Sequence, residues 1–418
     1  MMTTEGKSSR PSRKGWYQRV QLVDNESCIG DKQTITHFGV KTYKNLYSKC
    51  TTVSNAKRCV KEASRHGKMK REEVSEVVEN LDEESKNLIN LMKEHKVEIG
   101  PYHLTEIVEG HKHKHRKIAK PPFKYDQMEQ YVLLSVYKPI VMHSIYPFAH
   151  GSLPGRGPLQ SMKVIEDWIQ HDPKNTRYCA EGDIHHCYPS VDQDILSSMN
   201  HQRIKDDEFM KELDKCIYAS PKGLAPGSPT SVYLIHFMFT PMDYFISSLP
   251  GVAHYLRHMD NIYLFGPNKK RLRKAMEMVK NYVEKNYRME LNHNYQTYPL
   301  DYIGKDGEHH GRPLDAVGYI FFRDHTVLRK ATMLKATRKA TALSKKDKIN
   351  YYDSNQMLSR LGFFKHCKMH NVFDKRISPY INVKALKHKV SQHSKKEARK
   401  EKANGISECY RLCTTGSG

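Results

Sequence analysis

A single segment, residues 181–192, constrains this chain more than any other. An apolar, β-prone lead-in at residues 178–180 delivers Asp183 to a predicted strand end, and a turn built on Pro189 and Ser190 follows at once. A lone aspartate after a strand is usually a cap or a turn residue. The segment gains meaning only if a second acidic residue reaches the same place.

A second segment of this kind lies downstream, at residues 255–265. Asp260 and Asn261 interrupt two short apolar runs there, as the tip of a β-hairpin would. Carboxylates from two adjacent strands can hold a pair of divalent cations, which is the arrangement used in in-line phosphoryl transfer. The sequence therefore predicts that Asp183 and Asp260 meet.

The charge of the chain points to a polyanionic partner. Its 418 residues contain 69 Lys plus Arg against 46 Asp plus Glu, a formal net charge of +23. Anionic membrane is the competing partner, but no stretch of 18 apolar residues and no signal peptide is present. The 25 Tyr and 13 Phe suit base stacking beside phosphate contacts, although most aromatic residues of any fold are core or boundary residues.

Cysteine usage indicates a reducing compartment. The nine cysteines are odd in number and scattered, without a Cys-x-x-Cys pair. We therefore expect a cytoplasmic protein without disulfides or structural zinc.

Helical and strand patterns mix without strict alternation, which predicts an α+β fold. Residues 384–402 are extremely basic with few apolar anchors, and we expect a loose arm there. Pro139 is expected to end or kink the helix before it. The predicted helices cover residues 45–65, 71–95, 126–138, 158–170, 193–218, 232–246, 268–287 and 327–346, and the last predicted strand covers residues 317–322.

Three further segments could contact phosphates. Residues 111–118 alternate His with Lys or Arg; metal binding there lacks a neighbouring carboxylate or Cys, so a basic strand facing a nucleic-acid backbone is favoured. The glycine-rich loop 151–157 carries Arg156 but matches neither the P-loop nor a dinucleotide fingerprint. The helix at 327–346 is strongly cationic, which fits either a solvated face or a face that tracks a duplex.

These segments, in this order, resemble a reverse transcriptase over roughly residues 45–375. The resemblance is nearest to bacterial and phage enzymes of diversity-generating retroelements and to abortive-infection and defence-associated relatives. The segments that carry it are Asn45-Leu46-Tyr47, Gly151–Gly157, Gly182–Asp192, Gly223–Ser231, Arg257-His258-Met259-Asp260-Asn261, Val317-Gly318-Tyr319, His325–Lys330 and Leu358–Asn371.

The resemblance implies a right-hand polymerase with fingers, palm and helical thumb. Its expected divisions are an N-terminal extension (1–44), fingers (45–170), palm with part of the fingers (171–312), primer-grip hairpin and thumb (313–383) and a basic C-terminal tail (384–418). The implied cofactor is a pair of Mg²⁺ ions, with Mn²⁺ as the substitute, held by Asp183, Asp260 and the backbone carbonyl of Ile184.

The resemblance also assigns roles to individual residues. Asp183, Asp260 and Asn261 stand at the catalytic positions, and Tyr188 stands where an aromatic steric gate rejects a 2′-hydroxyl, with plain core packing as the alternative. Arg156, Gly227 and Ser228 are expected to meet the incoming nucleotide. The expected nucleic-acid contacts are Arg116, Lys117, Gly318, Tyr319, Arg329, Lys330, Lys335, Arg338 and Lys339.

This sequence departs from the family at several of these positions. Asn261 replaces the second carboxylate of the hairpin, which removes one negative charge, and His258 replaces a Tyr. Pro226 and Val232 stand where glutamines are typical, which argues against ordinary mutagenic copying.

The resemblance implies an RNA-directed DNA polymerase that makes cDNA on a dedicated non-coding RNA in anti-phage defence. The alternatives are a diversity-generating enzyme and a catalytically degenerate RNA-binding relative, while Tyr188 argues against an RNA-dependent RNA polymerase. The implied partners are the RNA template, a DNA primer or cDNA product and dNTPs, with an accessory protein or homo-oligomer left open and no membrane.

Overall fold

A computed structural model of the chain describes residues 41–65, 67–109 and 114–403. Most of the expected N-terminal extension (1–40), residues 111–113 of the basic histidine segment and the end of the tail (404–418) lie outside the described residues. The first helices are α1 Leu46–Cys50, α2 Val53–Ala63, α3 Glu72–Glu79 and α4 Leu81–Lys93, followed by the antiparallel strands β1 Leu104–Glu109 and β2 Lys114–Ala119.

Helix α5 (Met128–Ser144) runs through Pro139, so the expectation that this helix ends at residue 138 is wrong. The helix is buried on nearly every side, with Val132, Leu133 and Tyr137 each 0 % exposed. Proline in a helix interior costs roughly 3 kcal/mol or more. Burial of a helix that is apolar all round outweighs that cost.

The middle of the chain combines short strands with helices, two of which begin at capping aspartates. Asp192 caps α8 by accepting from Asp194 N and Ile195 N, and Asp206 caps α9 by accepting from Phe209 N. The bounds are β3 Ala149–His150, α6 Pro158–His171, β4 Tyr178–Asp183, α7 Cys187–Ser190, α8 Gln193–Arg203, α9 Asp207–Tyr218, α10 Ser231–Ser248, β5 His254–His258, β6 Asn261–Gly266, α11 Lys269–Tyr287 and β7 Gln296–Pro299.

One five-stranded sheet with the order β3-β5-β6-β4-β7 forms the centre of the fold. The short β3 pairs in parallel with β5, and the other pairings are antiparallel. Alternate residues of the strands face opposite ways. Ala180 and Leu264 belong to the core shared with α10 and α11, whereas Cys179 and Phe265 belong to the core shared with α6. The sheet is therefore covered on both faces.

Small sheets and helices follow the central sheet. A hairpin of β8 (Tyr302–Ile303) and β9 (His309–His310) precedes the three-stranded sheet of β10 (Leu314–Ala316), β11 (Tyr319–Phe321) and β12 (Thr326–Leu328). The helices are α12 Lys330–Ser344, α13 Tyr351–Phe364, α14 His370–Arg376 and α15 Val383–Ala403. The predicted strand at 317–322 and helix at 327–346 are thus found with shorter bounds.

The basic segment 384–402 lies in α15, so the expected loose arm is wrong for this part of the tail. The helix is anchored against α13: the rings of Tyr351 and His393 stack with centroids 3.7 Å apart, and Lys389 Nζ bonds the Ile349 carbonyl oxygen. Lys, Ala and Glu are good helix formers. Their propensity, with a few contacts to α13, suffices for a helix.

The described residues also bear on the fold class, the state of the cysteines and the character of the helices. The α+β class is confirmed by the mixture of helices and mainly antiparallel sheets. The six cysteines of the described part are free thiols. In that part of the chain, none of the helices combines the length and apolar character needed to cross a bilayer.

Candidate active site

The central sheet brings the two predicted aspartates together. Asp183 is the last residue of β4 and lies opposite Asn261, the first residue of β6. The next backbone amide, that of Ile184, donates to the Asp260 carbonyl oxygen at 3.2 Å. The hairpin predicted around residue 260 is confirmed, with Met259 at a φ of +57° in its tip. Residues 77 positions apart therefore end at one edge of one sheet.

Amide groups support both carboxylates. Asn261 Nδ2 donates to Asp260 Oδ1 at 3.0 Å, and Asn292 Nδ2 approaches Asp183 Oδ2 at 3.4 Å. The Asn292 backbone amide also donates to the Asp183 carbonyl oxygen at 2.8 Å. Asn292 was missed by the sequence reasoning, because a lone Asn after a helix carries no distinctive signal. An all-oxygen donor set of this kind fits Mg²⁺ or Mn²⁺ better than softer metals.

A fully buried arginine holds the hairpin from behind. Arg257 is 0 % exposed, and its Nε and Nη2 donate to the two Asp243 carboxylate oxygens at 2.7 and 2.6 Å. Its Nη1 donates to the Met259 carbonyl oxygen at 2.9 Å, next to Asp260. Tyr255 Oη adds a third bond to Asp243, at 2.7 Å. The signal for this pair was an acidic residue, Asp243, inside an otherwise apolar helix.

Histidines link the glycine-rich loop to the hairpin. The Ser161 hydroxyl lies 2.9 Å from His150 Nδ1 and 2.8 Å from His258 Nδ1. Burial lowers the pKa of His258 to about 4, with the charge of Arg257 acting in the same direction, so this ring is neutral at pH 7. His236 Nε2 bonds the Gly151 carbonyl oxygen at 2.9 Å. The replacement of the family's Tyr by His258 thus gives the hairpin a hydrogen bond to α6.

The glycine-rich loop itself packs on the hairpin tip. Gly151 has a φ of +106°, and a Cβ there would lie 2.4 Å from Met259 Cγ. Arg156, predicted to meet the triphosphate, donates through Nη1 to the Tyr146 carbonyl oxygen at 2.9 Å. Burial lowers the pKa of its guanidinium. In the structure Arg156 braces the loop, and its contact with a nucleotide stays a prediction.

Tyr188 is half-buried beside the acidic edge. Burial raises its pKa, and the neighbouring Cys187 and Asp260 act in the same direction. The Tyr188 carbonyl oxygen accepts from the Leu224 amide at 2.9 Å. The ring packs against the larger core at the same time, so both the gate and the core-packing interpretations remain compatible with its position.

The small-residue loop 223–231 docks onto the N-terminal part of the chain. A Cβ at Gly227, whose φ is +103°, would lie 2.5 Å from the Ala119 carbonyl oxygen of β2. Ser228 is 4 % exposed, and its hydroxyl donates to Gln130 Oε1 at 2.6 Å. The Ser228 side chain therefore has a buried partner. Gly227 allows the backbone of the loop to pack closely against the backbone of β2. Its expected contact with the nucleotide stays a prediction.

The side chains predicted to contact nucleic acid differ in their exposure to solvent. Tyr319 is 1 % exposed and packs against Phe363, so its side chain is a core group in this structure, and its expected contact with nucleic acid stays a prediction. Arg329 pairs with Asp315 at 2.6 Å, and Lys339 with Asp353 at 2.8 Å. The lysines and the arginine that are exposed are Lys117, Lys330, Lys335 and Arg338, whereas the side chain of Arg116 lies outside the described residues.

Gly318 forms the turn between β10 and β11 with a φ of +91°, and its carbonyl oxygen accepts from the Arg329 amide at 3.0 Å. Its backbone therefore fixes the start of α12. The expected contact with a primer stays a prediction.

A mixed α+β fold that presents two aspartates at one edge of a mainly antiparallel sheet is compatible with a palm-type nucleotidyltransferase. Comparison with protein families agrees: residues 108–298 match the family described as "Reverse transcriptase (RNA-dependent DNA polymerase)". The segment 108–298, which is less than half of the chain, is therefore similar to a reverse transcriptase domain, and the mixed α+β fold is the one expected of a right-hand polymerase. No curated protein matches the chain.

Solved structures of yeast telomerases are similar over part of the chain. Apo telomerase from Candida tropicalis is 12 % identical with a TM-score of 0.43, covering 68 % of this chain and 56 % of its own. Telomerase from Candida albicans with a fragment of telomeric RNA is 10 % identical with a TM-score of 0.41, covering 66 % and 56 %. A C-terminally truncated Candida tropicalis form is 12 % identical with a TM-score of 0.37, covering 54 % and 53 %. The chain thus spans just over half the length of these proteins, and similarity at this level supports no inference about substrate or partner.

Proposed function

We propose that this protein synthesises cDNA on an RNA template by two-metal nucleotidyl transfer, with Asp183, Asp260 and Asn261 at the catalytic centre. The observation that carries the proposal is the pairing of β4 with β6, which sets Asp183 opposite Asn261 and beside Asp260. Two Mg²⁺ ions held there would lower the pKa of the primer 3′-hydroxyl and neutralise the triphosphate.

The protein's own groups would bind the metal ions, hold the hairpin in place and select the sugar of the nucleotide. Asp183 and Asp260, with the Ile184 carbonyl, provide oxygen ligands, and Asn261 and Asn292 orient the carboxylates through the amide contacts described above. Arg257 fixes the hairpin through the Met259 carbonyl. Tyr188 would lie under the sugar of the incoming dNTP and exclude a 2′-hydroxyl.

The exposed cations of α12 would contact the template–primer duplex. Lys330, Lys335 and Arg338 are exposed and free to neutralise phosphates, whereas Arg329 and Lys339 already face Asp315 and Asp353. We therefore assign the duplex contacts to Lys330, Lys335 and Arg338 before the two paired cations.

We further propose that the template is a dedicated non-coding RNA and that the activity serves anti-phage defence in the cytoplasm. The support comes from three departures in the sequence. Pro226 stands where most reverse transcriptases carry Gln, Val232 stands where diversity-generating enzymes typically carry Gln, and His258 replaces the hairpin Tyr. Sequencing the nucleic acid that co-purifies with the protein tests this assignment. Recovery of one discrete RNA with its cDNA supports it, and recovery of a template that matches a variable repeat favours a diversity-generating enzyme.

The polymerase assignment is tested by primer extension with Mg²⁺ or Mn²⁺ on RNA templates. Asp183→Asn and Asp260→Asn should each abolish dNTP incorporation while leaving RNA binding intact. Asp167→Asn is the matched control, because Asp167 is an exposed carboxylate paired with His171 on α6. Absence of incorporation by the wild-type protein on every template, with RNA binding retained, would instead identify a binding-only relative.

Sugar selection is tested separately. Tyr188→Ala should admit ribonucleotides that the wild type rejects, and Tyr302→Ala, which removes an exposed ring, should not. Unchanged selectivity in Tyr188→Ala would leave Tyr188 as a packing residue.

A further inference from the structure

A group of two histidines and one aspartate lies outside the proposed catalytic site. His309 belongs to β9, and Asp324 and His325 form the turn between β11 and β12. Each of the three offers one potential ligand atom, and these atoms all lie within 4.8 Å of one another. No other group of three His, Cys, Asp or Glu residues in the described ranges, 41–65, 67–109 and 114–403, meets that spacing.

A buried carboxylate orients the first histidine. Asp301 is 2 % exposed, and its two oxygens lie 3.0 and 2.9 Å from His309 Nδ1. An Nδ1–H that donates to a carboxylate leaves Nε2 as the free acceptor, and Nε2 lies 3.6 Å from Asp324 Oδ1. Metal-binding histidines characteristically donate their second ring nitrogen to a carboxylate in this way.

The surrounding residues fix the other members of the group. Asp301 is itself held by the Arg323 backbone amide, which donates to Oδ2 at 2.6 Å. The ring of Phe322 stacks on His325 with centroids 4.6 Å apart and an angle of 6° between the planes. His325 Nδ1 lies 2.6 Å from Asp324 Oδ1. The ligand atoms are therefore gathered by protein packing before any ion arrives.

Ordinary His–Asp hydrogen bonding is the simpler explanation, and the chain has such pairs. His171 with Asp167, at 3.0 Å, and His310 with Asp306, at 2.8 Å, are exposed pairs on single elements. The group at His309 differs in two respects. It joins two separate hairpins, and it has a buried carboxylate behind one of its rings.

We propose that His309, Asp324 and His325 bind one transition-metal ion, with Zn²⁺ as the ion that suits two imidazoles and one carboxylate. A water molecule would complete a tetrahedral shell. The ion would tie the β8–β9 hairpin to the β11–β12 turn that leads into α12. This proposal departs from the expectation that the protein has no structural zinc, which was based on the cysteines alone and did not consider His–Asp ligand sets.

Co²⁺ titration of the full chain tests the proposal, because tetrahedral Co²⁺ absorbs visible light strongly and needs no enzyme activity as a readout. The wild type should bind one equivalent at micromolar Co²⁺, and Zn²⁺ should displace it. His309→Ala and His325→Ala should each weaken binding at least tenfold. Asp301→Asn, which keeps the size of the side chain, should weaken it by roughly 10–100-fold through the orientation of His309.

His171→Ala serves as the matched control, since it removes an exposed His–Asp pair without a third ligand. Circular dichroism in EDTA establishes that each variant is folded before titration. The proposal is overturned if the wild type takes up no Co²⁺ below about 100 µM, or if His309→Ala and His325→Ala bind as the wild type does. Failure here would leave the polymerase assignment untouched, because the two sites share no residue.

Discussion

Arg257 and Asp243 form a two-bonded ion pair in which both side chains are 0 % exposed. The pair lies between α10 and the hairpin, and the third donor of Arg257 reaches the Met259 carbonyl oxygen. Desolvating two charges offsets most of their attraction, so such a pair adds little net stability. Its value here is geometric, because it fixes the backbone on which Asp260 stands.

Arg257→Met is therefore expected to destabilise the protein by about 3–5 kcal/mol, because it leaves the Asp243 charge buried and uncompensated. Urea denaturation measures the loss. Arg288→Met is the control: Arg288 pairs with Asp192 at 3.0 Å but its side chain is 72 % exposed, and the expected change is within about 1 kcal/mol. Equal losses in both variants would contradict the structural role of the buried pair.

Arg257→Lys separates charge from geometry. The lysine keeps the positive charge but cannot bond both Asp243 oxygens and the Met259 carbonyl together. We expect it to be more stable than Arg257→Met yet at least tenfold slower in primer extension, with the loss in kcat rather than KM. A Lys variant with wild-type kcat would show that the hairpin needs only the charge.

Asn261→Asp should preserve or raise Mg²⁺-dependent activity. The Asn261 amide donates to Asp260 Oδ1, and the aspartate would replace that bond by repulsion between two carboxylates. Bound cations relieve the repulsion, so the half-saturating Mg²⁺ concentration should fall. Primer extension across a Mg²⁺ series measures it, with Asn292→Asp as a parallel change on the Asp183 side. Total loss of activity in Asn261→Asp would indicate a site that depends on the amide.

Gly227→Ala tests the docking of loop 223–231 on β2. At a φ of +103° the new Cβ would lie 2.5 Å from the Ala119 carbonyl oxygen, so backbone must move. The conformational cost alone is roughly 1–3 kcal/mol. Gly155→Ala is the control, since Gly155 also has a positive φ, +68°, but has nothing within 4 Å of a new Cβ. Thermal or urea unfolding should rank Gly227→Ala clearly below Gly155→Ala.

Local sequence patterns predict the two short segments that carry Asp183 and Asp260. They do not encode the pairing of strands that brings these segments together. Short apolar runs around Asp260 define a hairpin by themselves, and Asp183 at a strand end follows from the same alternation. The placement of β4 beside β6 is a long-range pairing that no local pattern encodes. The sequence could suggest this pairing only from the shared pattern of an aspartate at the end of an apolar run, and the resemblance to reverse transcriptases added support.

Tertiary packing also decides which side chains of the family motifs are accessible. Tyr319 and Ser228 lie in motifs that the family uses for substrates, yet tertiary packing covers both side chains here. The pairing of Lys339 with Asp353 likewise depends on α12 meeting α13, which a helical pattern does not reveal. Asp243 could have been flagged, because a carboxylate within an apolar helix requires a partner.

Glu129 on α5 gives the chain a distinct pH dependence. It is 0 % exposed, and burial, together with the charge of the neighbouring Glu212, raises its pKa well above the usual value. Glu212 keeps its charge through contacts with Lys215, at 2.8 Å, and with His95. The folded protein therefore retains the Glu129 proton to a higher pH than the unfolded chain does.

Glu129→Gln should stabilise the protein increasingly as pH rises. Below the unfolded pKa of about 4.3 both states carry the proton, and the variant and wild type should be similar. Above it the unfolded wild type releases a proton that the folded state retains, so wild-type stability falls by up to about 1.4 kcal/mol per pH unit until the folded pKa is reached. A glutamine at position 129 cannot ionise, so the stability of the variant does not fall with pH for this reason. Urea denaturation at pH 4.5, 6 and 7.5 measures the difference in free energy of unfolding between variant and wild type. Glu94→Gln, at an exposed position, is the control. A difference that does not change with pH would show that Glu129 is ionised in the folded protein.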